Sequence, residues 1–254
     1  MNKLKFYLAF SILFFIARNS AQAQVLSAGD IAFTGYNSSG TNVDSFSFVL
    51  LVNIPAGTQI SFTDNGWLAT NAFRVGEQHL TWTAGQAFLA GREITIFGTT
   101  SPTPLTPSSI VAVTSNSAGT CTGTMLSLST TGDQIIAYQG TVATPTIISA
   151  IHMNVYAITG VGDCGNTTAA SWDPLCIDGG TGTIGNTFFS VKPPTLTTGT
   201  NALWLGTVDV TASEEDWGVF NCTGPLATPA QVRAAVNNNA NWFSSTSEYR
   251  RFYT

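Results

Sequence analysis

The chain has 254 residues, of which 44% are hydrophobic and only 9% charged, with 14 Asp and Glu against nine Lys and Arg. That balance excludes a disordered chain, which needs low hydrophobicity and dense charge, and a sustained coiled coil, which needs long Ala/Glu/Lys/Leu/Arg-rich heptads. It also excludes a nucleic-acid binder, because there is no basic patch to neutralise phosphates.

Lys3 and Lys5 open the chain, residues 6–17 (FYLAFSILFFIA) form an apolar run, and Ala21-Gln22-Ala23 is a small-x-small sequence. This is the order of a secretory signal. The run is too short to span a bilayer, which takes about 20 residues. Cleavage after Ala23 is therefore expected. Residues 24–254 read as a single exported domain with no membrane span. Without Lys3, Lys5 and Arg18, six basic residues face 14 acidic ones, a formal charge of −8. Such a surface repels nucleic acid and anionic lipid. The partners it suits are an extracellular protein, a neutral glycan or a divalent cation.

Strand signals follow in series. Residues 29–36 (GDIAFTGY) are short and β-rich. Residues 45–54 (SFSFVLLVNI) begin with strict alternation and end in the turn Pro55-Ala56-Gly57, and residues 59–63 (QISFT) alternate again and stop at Asp64-Asn65-Gly66. Residues 80–83, 93–97 and 110–114 continue the pattern. Residues 125–128 and 134–138, separated by Ser-Thr-Thr-Gly-Asp, read as a hairpin. Residues 146–152 and 203–207 are further strands. Short strands at this spacing predict an all-β, mainly antiparallel β-sandwich. One helix is expected, near the C-terminus. Thr228 caps it, Pro229 takes the first helical position and Gln231 completes a capping box. Asn237-Asn238-Asn239 ends it, and Trp242 and Phe243 are expected to dock the tail on the sandwich.

Several stretches together resemble a family of exported bacterial β domains: GDIAFTGYNSSG, FVLLVNIPAGTQISFTDNGW, LTWTAG, LAGREITIFG, LSLSTTGDQIIAYQG and the terminal NANW. The resemblance covers most of residues 28–154 and returns near 228–242. Their order is also similar to a lamin-tail-type immunoglobulin-like sandwich. The resemblance implies a secreted protein, or a module of a larger surface protein, and carries no catalytic residue with it. Residues 155–201 depart from the pattern and read as an insertion bearing a disulfide.

The cysteines are Cys121, Cys164, Cys176 and Cys222. An even count in an exported chain reads as disulfides, with three possible pairings. Proximity favours Cys164 with Cys176, which leaves Cys121 with Cys222. That second bridge would close a loop of about 100 residues and stabilise by roughly 4–5 kcal/mol.

Asp30, Asp44, Asp64 and Asn65 sit at strand ends, where loop carboxylates can supply oxygens to a structural calcium ion. The competing reading is that they satisfy their own turns. Glu214-Glu215-Asp216 and the trio Asp163, Asp173 and Asp178 are weaker acidic clusters. Glu77 and His79 lie two apart, on one face of a strand, and are candidates for a general-base pair or a plain polar edge. Of the six tryptophans, Trp82 belongs in the core. Trp172 and Trp217 are the candidates for stacking on sugar.

The functional expectation is a non-catalytic secreted or cell-surface domain for adhesion, matrix or protein interaction, without a catalytic residue or cofactor. A glycan-binding module is the alternative if Trp172 or Trp217 lies beside a groove. A secreted hydrolase is the third reading if a pocket brings His79 or His152 against a Ser or a carboxylate.

Overall fold

Phe46 and Phe48 alternate with Ser45 and Ser47, so an extended chain turns the rings to one side and the hydroxyls to the other. Ile60 and Phe62, and Leu80 and Trp82, alternate in the same way. Stacking two such sheets removes all six side chains from water. The computed structural model describes residues 24–38, 44–68, 70–99, 111–114, 118–129, 133–153, 176–177, 189–205 and 215–245.

In chain order the strands are β1 (Ile31–Asn37), β2 (Ser45–Leu50), β3 (Gln59–Thr63), β4 (Trp67–Leu68), β5 (Ala72–Phe73), β6 (His79–Ala84), β7 (Glu93–Thr99) and β8 (Val111–Thr114). They continue with β9 (Gly119–Gly123), β10 (Gln134–Thr141), β11 (Thr144–His152), β12 (Cys176–Ile177), β13 (Phe189–Ser190), β14 (Ala202–Trp204), β15 (Trp217–Phe220) and β16 (Trp242–Ser245). Helix α1 (Pro229–Val236) precedes β16.

The first sheet has the order β16-β15-β1-β2-β7-β8 and the second β14-β11-β10-β3-β6-β9. Neighbouring strands run antiparallel, except β11 and β14, which are parallel. The sheets stack with β1 over β11 and β8 over β9. The chain is thus the expected β-sandwich, with one short α-helix among the described residues.

Rings fill the space between the sheets. Phe46 and Phe62 lie 4.9 Å apart, Phe48 and Phe62 5.0 Å, and Phe48 meets Trp82 edge-on at 5.5 Å. Each such pair adds roughly 0.5–1.5 kcal/mol beyond its burial. A second, smaller core lies on the far side of the second sheet and includes Trp67, Phe73, Ile136, Tyr138 and Trp204. The β4–β5 hairpin and the chain after β13 cover it, joined by a hydrogen bond from Val191 N to Trp67 O of 2.7 Å. This cover explains why β10 and β11 read as nearly continuous apolar runs: both of their faces are buried.

Helix α1 forms as its cap dictates. Thr228 Oγ1 accepts from Gln231 N, and Gln231 Oε1 accepts from Thr228 N at 3.1 Å. Trp242 then docks the tail, donating from Nε1 to Val236 O at 2.7 Å.

Two expectations need correction. Residues 125–128 are not a strand, and the hairpin with 134–138 does not exist. Asp64 and Asp44 side chains take the N–H groups of Ser127 and Leu128, which a strand ladder would use. The strand of that region is β9 (GTCTG), which pairs with β6. The hairpin partner of β10 is β11.

The second correction concerns the cysteines. Cys121 and Cys222 are free thiols. Cys121 sits on β9, the edge strand over β8, whereas Cys222 follows β15, four strand places from β8 in the other sheet. At about 4.8 Å per strand that separation is roughly 19 Å, far beyond the Cα spacing a bridge allows. The pairing of Cys164 with Cys176 lies outside the described residues.

Candidate functional site

The chain leaves β3 through Thr63-Asp64-Asn65, and these three residues organise a polar cluster. Thr63 Oγ1 donates to Gln78 O at 2.6 Å and accepts from Asn65 N at 3.0 Å. Asn65 Oδ1 accepts from Glu77 N at 3.1 Å, which fixes the orientation of its amide. Its Nδ2 therefore faces His79 Nε2, at 3.1 Å. An amide nitrogen only donates, so Nε2 accepts and the ring proton is on Nδ1, which donates to Tyr138 Oη at 2.8 Å. Burial holds the His79 pKa below its ordinary value, in keeping with this neutral ring. Burial also raises the Tyr138 phenol. Glu77 pairs with the buried Arg74 at 2.6 Å. Phe73 packs edge-on to His79 at 5.6 Å.

Beside this group, three carboxylates hold one stretch of backbone. Asp64 Oδ2 accepts from Ser127 N at 2.9 Å, Asp44 Oδ2 from Leu128 N at 2.7 Å and Asp133 Oδ2 from Ser129 N at 2.8 Å. The other oxygen of Asp64 accepts from Gln78 N at 2.8 Å. Gln134 Nε2 bridges to Asp64 O and Asp133 Oδ1. Burial is the main cause that lifts Asp44 to about 7, against the hydrogen bond from Leu128 and with help from the charge of Asp64. Burial likewise lifts Asp64 to about 6.

The calcium candidates therefore do not form one set. Asp30 precedes β1 at the end where Ile31 pairs with Leu50, and Asp44 precedes β2 at the opposite end, where Ser45 pairs with Asn37. Asp30 Oδ2 instead accepts from Ser27 N at 2.7 Å, as a turn residue does. Asp44, Asp64 and Asn65 do come together, with backbone N–H groups as their partners. Among the described residues no group of three or more His, Cys, Asp or Glu is placed to hold a metal ion. Glu215 and Asp216 immediately precede β15. Glu214, Asp163, Asp173 and Asp178 fall outside the described residues.

Glu77 and His79 are close in sequence but turn to different partners, Arg74 and the Asn65–Tyr138 pair. His152 is fully buried, and burial pushes it down to about 3, so it is neutral at physiological pH.

An open furrow lies elsewhere, on the outer face of the first sheet. Pairing registers place Phe243, Val219, Gly35, Ser47 and Thr95 in one row across β16, β15, β1, β2 and β7. The next row is Ser245, Trp217, Asn37, Ser45 and Phe97. Gly35 makes the dip, since a Cβ there would come within 2.9 Å of Ser47 Oγ. The result is a furrow of about 100 Å³ with no charged side chain in its lining.

Protein-family models, curated proteins and solved structures all fail to match this chain.

Trp217 thus sits half-buried beside a groove, on the same face as the exposed Phe243. Trp172 lies outside the described residues. Trp67, Trp82, Trp204 and Trp242 are core residues. Sequence reasoning missed Gly35 and Ser47 as groove residues and Phe243 as the exposed ring beyond Val219. Only the alternation of Ser45 and Ser47 with Phe46 and Phe48 pointed to a hydroxyl-bearing outer face.

Proposed function

We propose that this chain is a non-catalytic exported domain that acts through its surface, in adhesion or matrix contact with an extracellular protein or glycan. The observation that carries this reading is the polar cluster. Among the described residues, the groups of the polar cluster that could serve general acid–base chemistry are committed to the frame: Asp44, Asp64 and Asp133 to backbone N–H groups, His79 to Asn65 and Tyr138, and Glu77 to Arg74. Export is supported by Lys3 and Lys5, the apolar run 6–17 and Ala21-Gln22-Ala23. Among the described residues no helix is long and apolar enough to cross a membrane. The finer assignment, a lamin-tail-like immunoglobulin-like sandwich of the exported bacterial β-domain family, rests on the sequence stretches that suggested it. A bridge between Cys164 and Cys176 belongs to the same proposal.

The test is a pair of assays on the purified protein. Saturable adhesion to immobilised extracellular-matrix proteins or to cell-surface glycans, with no turnover of ester, glycoside or peptide substrates, is the expected result. Turnover that disappears in His79→Ala would overturn the reading in favour of a hydrolase.

A further inference from the structure

We propose that the furrow on the outer face of the first sheet binds a neutral glycan chain, with Trp217 and Phe243 as the ring contacts at its β15–β16 end. This gives a ligand class and a place to the surface-contact reading, on which it rests.

The lining decides the chemistry of the occupant. Strand β1 is paired with β15 on one side and β2 on the other, and β2 is paired with β7 beyond. The backbone N–H and C=O groups under the furrow are therefore already used in the ladders. Along the furrow floor a peptide strand has no sheet edge to add to, the free edge being β16 beyond it, and main-chain pairing is what such recognition needs. An anionic ligand would look for Lys or Arg, and the lining has neither. An acyl chain would meet the hydroxyls of Ser45 and Ser47. Thr34 Oγ1 donates to Glu93 Oε1, so Ser47 Oγ donates to Thr34 Oγ1 at 2.8 Å and offers a ligand its acceptor lone pairs.

What suits this surface is a neutral molecule with many hydroxyls and weakly polar C–H faces. The aromatic groups stand where such a molecule would enter. Phe243 is 57% exposed and lies directly opposite Val219 in the first row, while Trp217 lies opposite Asn37 in the second. Phe97 stands at the far end of that second row. The rings in the furrow lining, Tyr36 and Phe46, are buried, so ring contact falls to Trp217 and Phe243 beside it, whereas a larger concavity of about 290 Å³ beside helix α1 has the buried Trp204 as its one lining aromatic.

Titration of the purified protein with neutral gluco-, manno- and xylo-oligosaccharides, and with uronic-acid and sulfated oligosaccharides, tests the proposal. Saturable binding to at least one neutral series is expected, weakened about tenfold in Phe243→Ala and lost in Ser47→Tyr, which fills the furrow. Val75→Ala, at an exposed residue between β5 and β6, leaves binding unchanged. Trp217→Ala should behave as Phe243→Ala does if its melting temperature stays near wild type; if it fails to fold, Phe243→Ala and Ser47→Tyr decide. No binding to any neutral series, binding to the acidic series alone, or equal binding by wild type, Phe243→Ala and Ser47→Tyr overturns the proposal. Those outcomes leave matrix-protein adhesion to stand or fall on its own assay.

Discussion

The two sheets share one core but treat their outer faces in opposite ways. The second sheet is roofed by the β4–β5 hairpin and the chain after β13, so Tyr138 and Trp204 are buried on the side away from the main core. The first sheet leaves its outer face open and hydroxyl-bearing around Gly35, with no charged side chain in the furrow lining, Glu93 bonded to Thr34 beside it and Phe243 exposed at the sheet edge. A roofed face contributes apolar burial to stability. An open face contributes little and is free to meet a ligand. The most direct way to break this contrast is to truncate one aromatic residue on each side. Trp204→Ala is expected to cost about 3–5 kcal/mol, and Phe243→Ala to stay within about 0.5 kcal/mol. Urea unfolding midpoints measure both. Equal losses would mean that the open face is as structural as the closed one.

The next effect in size comes from the carboxylate clamp that ties residues 127–129 to the sandwich. Asp64→Ala leaves Ser127 N and Gln78 N without their acceptor. Each unmade buried bond costs about 1–3 kcal/mol, offset in part by removal of a buried charge. A net loss of about 2 kcal/mol is expected, with faster amide exchange at Ser127. Unchanged exchange there would show that the loop is held by other contacts.

How much of this was legible beforehand follows the range of the interactions. Phe46, Phe48, Ile60, Phe62, Leu80 and Trp82 announced their faces through a period of two, and Thr228 with Gln231 announced the helix start. Both are local patterns. The clamp joins Asp44 to Leu128 across 84 positions and Asp64 to Ser127 across 63, and no local period records such a bond. Strand β9 was hidden because glycines with positive φ stand at both its ends, Gly119 and Gly123, giving it the composition of a loop. A Cβ at Gly123 would sit 2.4 Å from His79 O, so the close approach of β9 to β6 requires glycine there. Strands β15 and β16 are four residues each, too short for alternation to show, and the furrow depends on their register.

Asp44 allows the clamp to be tested by pH. Its pKa is raised in the folded state from 3.8 to about 7, so the folded protein holds the proton more tightly than the unfolded chain does. The stability linked to that proton is fully present below 3.8 and is lost as pH rises through about 7. Asp44→Asn keeps an oxygen for Leu128 N and removes the buried charge. The variant should gain on the wild type between pH 4 and 7, by something on the order of 2 kcal/mol after allowing for solvent screening of a partly buried group. The gain should then level off above pH 7. His152, lowered to about 3, acts in the opposite sense, destabilising the fold as pH drops below 6.5, but it is common to both proteins and cancels in their difference. A difference in melting temperature that stays flat across this range would show that burial is not what perturbs Asp44.

The smallest expected effect concerns the two thiols, one on β9 and the other just after β15. Had Cys121 and Cys222 been bridged, breaking the link would cost roughly 4–5 kcal/mol through a loop of about 100 residues. As free thiols they leave Cys222→Ser within about 0.5 kcal/mol of the wild type, because Cys222 is exposed and its Sγ makes only a long contact, 3.7 Å, with Gly224 O. Reactivity separates the pair more sharply than stability does. Burial pushes Cys121 up to about 11, so at pH 8 only about a thousandth of it is thiolate, the reactive form. Iodoacetamide followed by peptide mass spectrometry should label Cys222 early and Cys121 only when the fold opens. A peptide pair linked through these two cysteines in the unreduced protein would place the edges of the two sheets in contact, and the strand order with its open furrow would then have to be redrawn.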